Sequence, residues 1–294
     1  MRRIDMAKMQ GNVCIVTGSN SGIGRETALV LAAMDATVVM AVRNRERGEK
    51  ARVEIIEETG NKATDLMKCD VSSADSIRLF ANEFKDRYER LDVLINNAGA
   101  VFGKRQTTPD GFERTFAVNY LGAFLLTGEL LPVLKSSAPS RVINVSSGMH
   151  KTGKIDFNDL QSERKYKSME AYASSKLMVT TITYEWARRL EGEGVTVNVV
   201  EPGFVATNLG RNSGSLMSSI MFGLMKPIQV NPRKGAETSV YAASSDEVEG
   251  VTGRCFAKLK ETTTAETSYD RDVQRRLWDE TVKLLGMDPG FIEG

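Results

Sequence analysis

The chain runs to 294 residues, room for one large α/β domain or two small ones, and its hydrophobic (41%) and charged (26%) fractions are those of a globular protein with a sizeable core. A net charge of +1 gives no electrostatic reason to expect nucleic acid or an anionic membrane as a partner. Residues 1–10 are polar without a signal-peptide core, and no later segment approaches the roughly 20 apolar residues of a membrane span, so a cytoplasmic protein is expected.

Short β-branched runs alternate with longer helical patterns along the chain. Residues 12–17, 37–42, 64–69, 93–96, 141–145 and 196–200 read as buried strands, and 24–34, 45–59, 74–87, 111–134 and 169–190 show helical spacing with charged faces. This alternation implies right-handed crossovers and a parallel sheet covered on both faces: a Rossmann-type, doubly wound α/β fold of about seven strands. No linker or repeat interrupts it, so 1–294 is read as one domain. Within it, 11–207 form the cofactor and catalytic core, 208–229 a substrate lid and 230–294 a C-terminal part. Two stretches break the alternation, a polar loop at 148–167 and the Met-, Leu-, Ile- and Phe-rich 208–229; loops of this length are more often functional than idle.

The first strand ends in Thr17-Gly18-Ser19-Asn20-Ser21-Gly22-Ile23-Gly24 and passes straight into a helix. Glycines there let the backbone turn tightly and approach a pyrophosphate at the helix N-terminus. A glycine triplet alone is a weak signal, but its place between a first strand and a first helix makes it a strong one. The second strand selects the dinucleotide. An Asp or Glu at its end would bond a ribose 2′-hydroxyl, whereas here Val42 is followed by Arg43-Asn44. A guanidinium in place of a carboxylate suits a 2′-phosphate, so the expected cofactor is NADP(H).

Tyr172 and Lys176 are four residues apart in a helical run and share a face. A phenol is a poor base at neutral pH, and a nearby ammonium is expected to lower its pKa toward a useful range. Ser146 and Ser147 end the fifth strand, at the edge where ligands meet an open α/β sheet, and a hydroxyl there can hold a substrate oxygen.

In chain order, the loop 17–24, Asn96-Asn97-Ala98-Gly99, Asn119, Val145-Ser146-Ser147, Tyr172-x-x-x-Lys176 and Pro202-Gly203 form a set, each member at a strand end or helix start. This set resembles the short-chain dehydrogenase/reductase family, and the resemblance covers nearly the whole chain. It implies that Asn119 kinks its helix and holds a relay water, that Ser147 orients the substrate and that Tyr172 is the acid/base. Lys176 would bond the nicotinamide ribose and tune Tyr172. The resemblance further implies cofactor contacts from Gly18, Asn20, Ser21, Gly22, Ile23, Gly24, Arg43, Asn44, Asp70, Val71, Asn97, Ala98 and Gly99, with Pro202, Gly203, Val205 and Thr207 at the nicotinamide end. Ala41-Val42-Arg43-Asn44, the segment Ile155-Asp156-Phe157-Asn158-Asp159-Leu160-Gln161-Ser162-Glu163 and the long interval between Ser147 and Tyr172 resemble the retinol dehydrogenase-like branch. The N-terminal hydrophobic anchor of that branch's membrane-bound members is not seen.

Three cysteines, Cys14, Cys69 and Cys255, lack metal-ligand spacing; their odd number suits a reducing compartment, and Cys14 reads as a core thiol. His150, the only histidine, reads as a solvated loop residue. Asp156, Asp159 and Glu163 in the same loop need no metal to explain them. Apolar residues on more than one side of 111–134 and 169–190 predict a homodimer, since family members often pair through these helices. In 208–229, Leu216, Ile220, Met221 and Leu224 fall at helical spacing, and Met217, Met221 and Met225 suit varied apolar shapes. The expected substrate is therefore a lipophilic carbonyl or alcohol, retinal-like or long-chain. Alternatives are a sterol or polyketide-like ketone, or an NADPH-sensing role without turnover.

Overall fold

The protein is described from a computed structural model covering residues 9–203 and 231–292. The expected lid at 208–229, with Val205 and Thr207, lies outside the described residues. Seven strands run parallel: β1 (Val13–Thr17), β2 (Thr37–Val42), β3 (Thr64–Lys68), β4 (Val93–Asn96), β5 (Ser140–Val145), β6 (Val195–Glu201) and β7 (Cys255–Ala257). The two-residue β8 (Lys260–Glu261) pairs antiparallel to β7, giving the sheet order β3-β2-β1-β4-β5-β6-β7-β8. The central strands are continuous apolar runs because helices cover both faces. On one face pack α1 (Gly22–Ala33), α2 (Arg45–Thr59) and α6 (Pro232–Ser244). On the other lie α3 (Ala74–Arg87), α4 (Arg114–Ser136), α5 (Ser168–Arg189) and α7 (Arg271–Leu285).

Local chemistry sets the helix ends. Asn44 caps α2 by accepting from the Arg47 amide at 2.8 Å, and Gly60 ends it in the left-handed region at φ 73°. The expected helix from 111 begins at Arg114 instead. The reason is Glu113, a buried residue whose two carboxylate oxygens accept from the amides of Thr115 and Phe116 at 2.7 Å each. One turn of α4, Ala117–Leu121, is π-wound, a local irregularity typical of functional positions, and Asn119 is its central residue.

Two expectations are corrected here. First, α4 is long and apolar enough to cross a membrane by length and composition, with a mean hydropathy of 1.5 over an 18-residue window. That window is 83% buried inside the protein, as befits a core helix. Second, the loop 148–167 is not merely polar surface: Ile155, Phe157 and Leu160 pack on the core, and 148–152 form a 3-10 turn.

The apolar second side of α4 and α5 has an intramolecular cause. Trp278 of α7 stacks edge-on to Phe124 and Trp186 at 4.9 and 4.6 Å, and Tyr120 shares a hydrogen bond with Thr281 at 2.5 Å. A Cβ on Gly128 would sit 2.7 Å from Met287 and 3.2 Å from Phe291, so the chain's own C-terminal residues lie against this face.

Candidate active site

All the predicted site residues that the structure describes gather at the C-terminal edge of the sheet. Register explains why: Thr17 pairs with Ala41, Val16 with Ile95, Asn96 with Asn144 and Val145 with Val200, so strands β1, β2, β4, β5 and β6 end on one line.

The glycine loop is tied to the end of β4. Thr17 Oγ1 accepts from the amides of Asn97 and Ala98 at 2.9 Å each, and Asn97 Nδ2 donates to Thr17 O at 2.7 Å. Gly18 turns in the left-handed region at φ 66°. Gly24 is required for a different reason: a Cβ there would lie 2.4 Å from Asn97 Nδ2 and 2.6 Å from Gly18 O. At the start of α1, Ser21 makes no side-chain capping bond and the first turn holds no carboxylate. Ser19 Oγ is fully buried and has no hydrogen-bond partner among the described residues. An uncapped helix start beside a glycine turn and an unpaired buried hydroxyl fit the pyrophosphate of a dinucleotide.

Two arginines flank this loop, and among the described residues only Arg25 is paired. Arg25 bonds Glu26, Glu54 and Glu58 at 2.7 to 3.0 Å, bracing α1 on α2. Arg43 stands exposed two residues beyond the Thr17–Ala41 pair. Asn44, named as a cofactor contact, has its oxygen engaged in capping α2. Asp70 closes its own turn, accepting from the Ser72 amide and hydroxyl at 3.0 and 2.6 Å. Val71 abuts α4, where a Cβ on Gly122 would come within 2.2 Å of its carbonyl oxygen. Gly203, at φ 79°, and Pro202 follow directly on β6.

Asn119, Ser147, Tyr172 and Lys176 are brought together. Asn119 exchanges two hydrogen bonds with the backbone of Ala100, at 2.7 and 3.0 Å, and donates to Ser175 Oγ at 3.0 Å. That clamp holds the loop that follows β4 at Ala100. Ser146 and Ser147 separate cleanly. Ser146 Oγ is buried and bonded to Lys176 O and Thr180 Oγ1, whereas Ser147 Oγ is half-buried, accepts from the Met149 amide at 3.3 Å and interacts with the Tyr172 phenol.

Tyr172 and Lys176 are both buried, which alters the expected electrostatics. Burial pushes the Tyr172 phenol above its usual pKa, outweighing the opposing bond from Ser147. The Lys176 ammonium does not lower it as the sequence predicts. Its Nζ donates to Val145 O at 2.8 Å and lies 5.9 Å from the centre of the phenol ring, and burial lowers its own pKa to about 8. Tyr172 is thus held as the protonated phenol, the form that donates.

His150 is the clearest correction. It is fully buried, with Nδ1 2.7 Å from Ser147 O and 3.5 Å from Glu201 Oε1. A polar loop surrounds it in sequence, but its partner carboxylate arrives from β6, fifty residues on. No sequence signal marks Glu201, Ser175 or the capping role of Glu113. Among the described residues no cluster of acidic, histidine or cysteine side chains could hold a metal ion.

Comparison with known proteins agrees with this geometry. A short chain dehydrogenase family profile matches residues 12–216. Retinol dehydrogenase 13 from Homo sapiens is 44% identical over 287 residues, spanning 96% of this chain and 87% of that protein. Retinol dehydrogenase 14 from Mus musculus is 44% identical over 295 residues, spanning 96% and 88%. Among solved structures, an uncharacterised protein from Mycobacterium paratuberculosis superposes with a TM-score of 0.78 at 30% identity, over 97% of both chains. The Pseudomonas aeruginosa RhlG/NADP active-site complex gives 0.69 at 25% identity, over 85% of this chain and 96% of that one. The chain belongs to the short-chain dehydrogenase family, on its retinol dehydrogenase-like side, and is a hydride-transfer oxidoreductase that works with a nicotinamide cofactor.

Proposed function

We propose that the protein is an NADP(H)-dependent oxidoreductase acting on a lipophilic aldehyde, ketone or alcohol, retinal-like or long-chain, with Tyr172 as acid/base. The observation that carries it is the buried meeting of Ser147, Tyr172 and Lys176 beside the glycine loop. When bound, the nicotinamide supplies the hydride, and the chain supplies orientation and the proton path. Ser147 holds the carbonyl oxygen, and Tyr172 donates its proton as the oxygen gains charge. Lys176, freed from Val145 O, serves the ribose, while Asn119 keeps the loop after β4 in place. Arg43 meets the 2′-phosphate, a reading supported by its exposure, by the engagement of Arg25 with three carboxylates, and by a structural neighbour solved with NADP.

The lipophilic substrate class is supported by relatives named retinol dehydrogenases. Each buried methylene contributes up to about 0.8 kcal/mol, roughly fourfold in rate. Across linear aldehydes with NADPH, followed by nicotinamide absorbance, kcat/KM is therefore expected to climb with chain length and then level off. A flat profile would point to a small polar substrate.

A cytoplasmic location is proposed on the ground that Cys14, Cys69 and Cys255 are free and buried. A homodimer through α4 and α5 is proposed as well, with Trp278 and Phe291 of the same chain packed on Phe124 of α4. Light scattering at micromolar protein is expected to show a species of twice 32.3 kDa. A 32.3 kDa species alone would rule the dimer out.

A further inference from the structure

The turn that joins Ser147 to α5 is built more firmly than a connection requires. Ser147 O accepts twice from the same residue, from the His150 amide at 2.9 Å and from His150 Nδ1 at 2.7 Å. A carbonyl oxygen only accepts, so Nδ1 carries the hydrogen, and among the described residues the buried Nε2 has no hydrogen-bond partner. Glu201 Oε1 stands 3.5 Å from Nδ1, and Glu201 Oε2 would lie 3.5 Å from a Cβ on Gly148. The carboxylate of β6 therefore sits over the first residue after Ser147. At the far end of the turn the Gly153 amide donates to His150 O at 3.2 Å. A Cβ on Gly153 would fall 2.4 Å from Ala173 O, so the turn lands beside Tyr172 itself. His150 thus bonds Ser147 O with its ring and amide and the Gly153 amide with its carbonyl, at the two ends of a turn that starts at Ser147 and lands beside Tyr172. Burying it with one ring nitrogen unpaired is costly, and a plain packing residue would avoid that cost.

We propose that His150, backed by Glu201, is a positioning residue that fixes the Ser147 hydroxyl against the Tyr172 phenol. The proposal rests on the reading of Ser147 and Tyr172 given above. By locking the Ser147 carbonyl, His150 sets the backbone angles of that residue, φ −161° and ψ 149°, and with them the direction of its side chain. Without the imidazole, the His150 amide bond to Ser147 O and the 3.3 Å bond from the Met149 amide to Ser147 Oγ persist, but the ring's restraint on the carbonyl is lost. The hydroxyl then samples a wider arc, while the NADPH site at β1 and β2 is untouched.

The test is a set of variants of the full chain, assayed with NADPH and a linear aldehyde. His150→Leu should lower kcat by about tenfold, less than the ~10²-fold of an ångström-scale misplacement. The Kd for NADPH should stay unchanged. His150→Asn, whose amide nitrogen can stand where Nδ1 stands, should recover most of the rate. In a Ser147→Ala background the same His150→Leu change should have an effect of less than about twofold, because the group it positions is gone. Should the leucine variant fail to fold, His150→Gln, which lacks a donor at the Nδ1 position, replaces it. Near-native kcat in the variant, or an equal loss in the Ser147→Ala background, would overturn the proposal. A crystal structure of the variant separates this failure from that of the function. If the wild type itself turned over no aldehyde, the functional reading would fall. A Ser147 hydroxyl unmoved in the variant would refute the positioning role in either case.

Discussion

Replacing Tyr172 by phenylalanine is expected to leave NADPH binding intact and to lower turnover by on the order of 10² or more, the usual contribution of a general acid. The substitution removes one oxygen from a side chain that is 7% exposed, so the ring should keep its packing. What disappears is the proton donor and the partner of the Ser147 hydroxyl. The direction of the phenol's shift gives a second handle. Because burial raises its pKa, Tyr172 is protonated throughout the neutral range, and carbonyl reduction should be flat there. Alcohol oxidation needs the phenolate and should climb with pH, by up to about tenfold per unit. Lys176→Met should harm both NADPH binding and rate, because it removes the buried ammonium proposed to hold the nicotinamide ribose beside Tyr172. Near-native turnover in Tyr172→Phe would require another acid to be found.

Replacing Arg43 by alanine should weaken NADPH binding by about 2 kcal/mol, the scale of a charge-assisted hydrogen bond, or roughly 30-fold in Kd. NADH, which has no 2′-phosphate, should bind as before. The selectivity of the loss is the point. Arg43 is exposed, so its removal disturbs no packing, and Arg25 is held by Glu26, Glu54 and Glu58 and cannot substitute for it. Equal losses for both cofactors, measured by fluorescence titration, would refute the assignment.

How much of this could be read from the chain depends on the range of the interaction concerned. Strands β1 to β6 were legible because buried parallel strands are unbroken β-branched runs. Strands β7 and β8, three and two residues long, are too short to carry a pattern. The four-residue spacing of Tyr172 and Lys176 put them on one face correctly. It could not tell where the ammonium points, which is decided by the Val145 carbonyl on β5. Likewise the Ser-Ser pair was visible, but only the contacts of Ser146 with α5 show which serine faces Tyr172. The burial of His150 is not legible in the sequence, where a polar loop surrounds it and the carboxylate it meets, Glu201, is distant in the chain. The apolar faces of α4 and α5 are legible, but not that Trp278 of α7 packs on them, because a hydrophobic stripe does not name its partner.

The central claim, hydride transfer with Tyr172 as proton donor, is tested most directly by following the transferred atom. NADPH deuterated at its transferring carbon is mixed with a long-chain aldehyde and the protein, and the product is read by mass spectrometry. The account predicts an alcohol carrying one deuterium on the former carbonyl carbon, formed at least ~10²-fold more slowly by Tyr172→Phe. NADPH that binds but is not consumed across the aldehyde series, or alcohol that forms without the label, would contradict it.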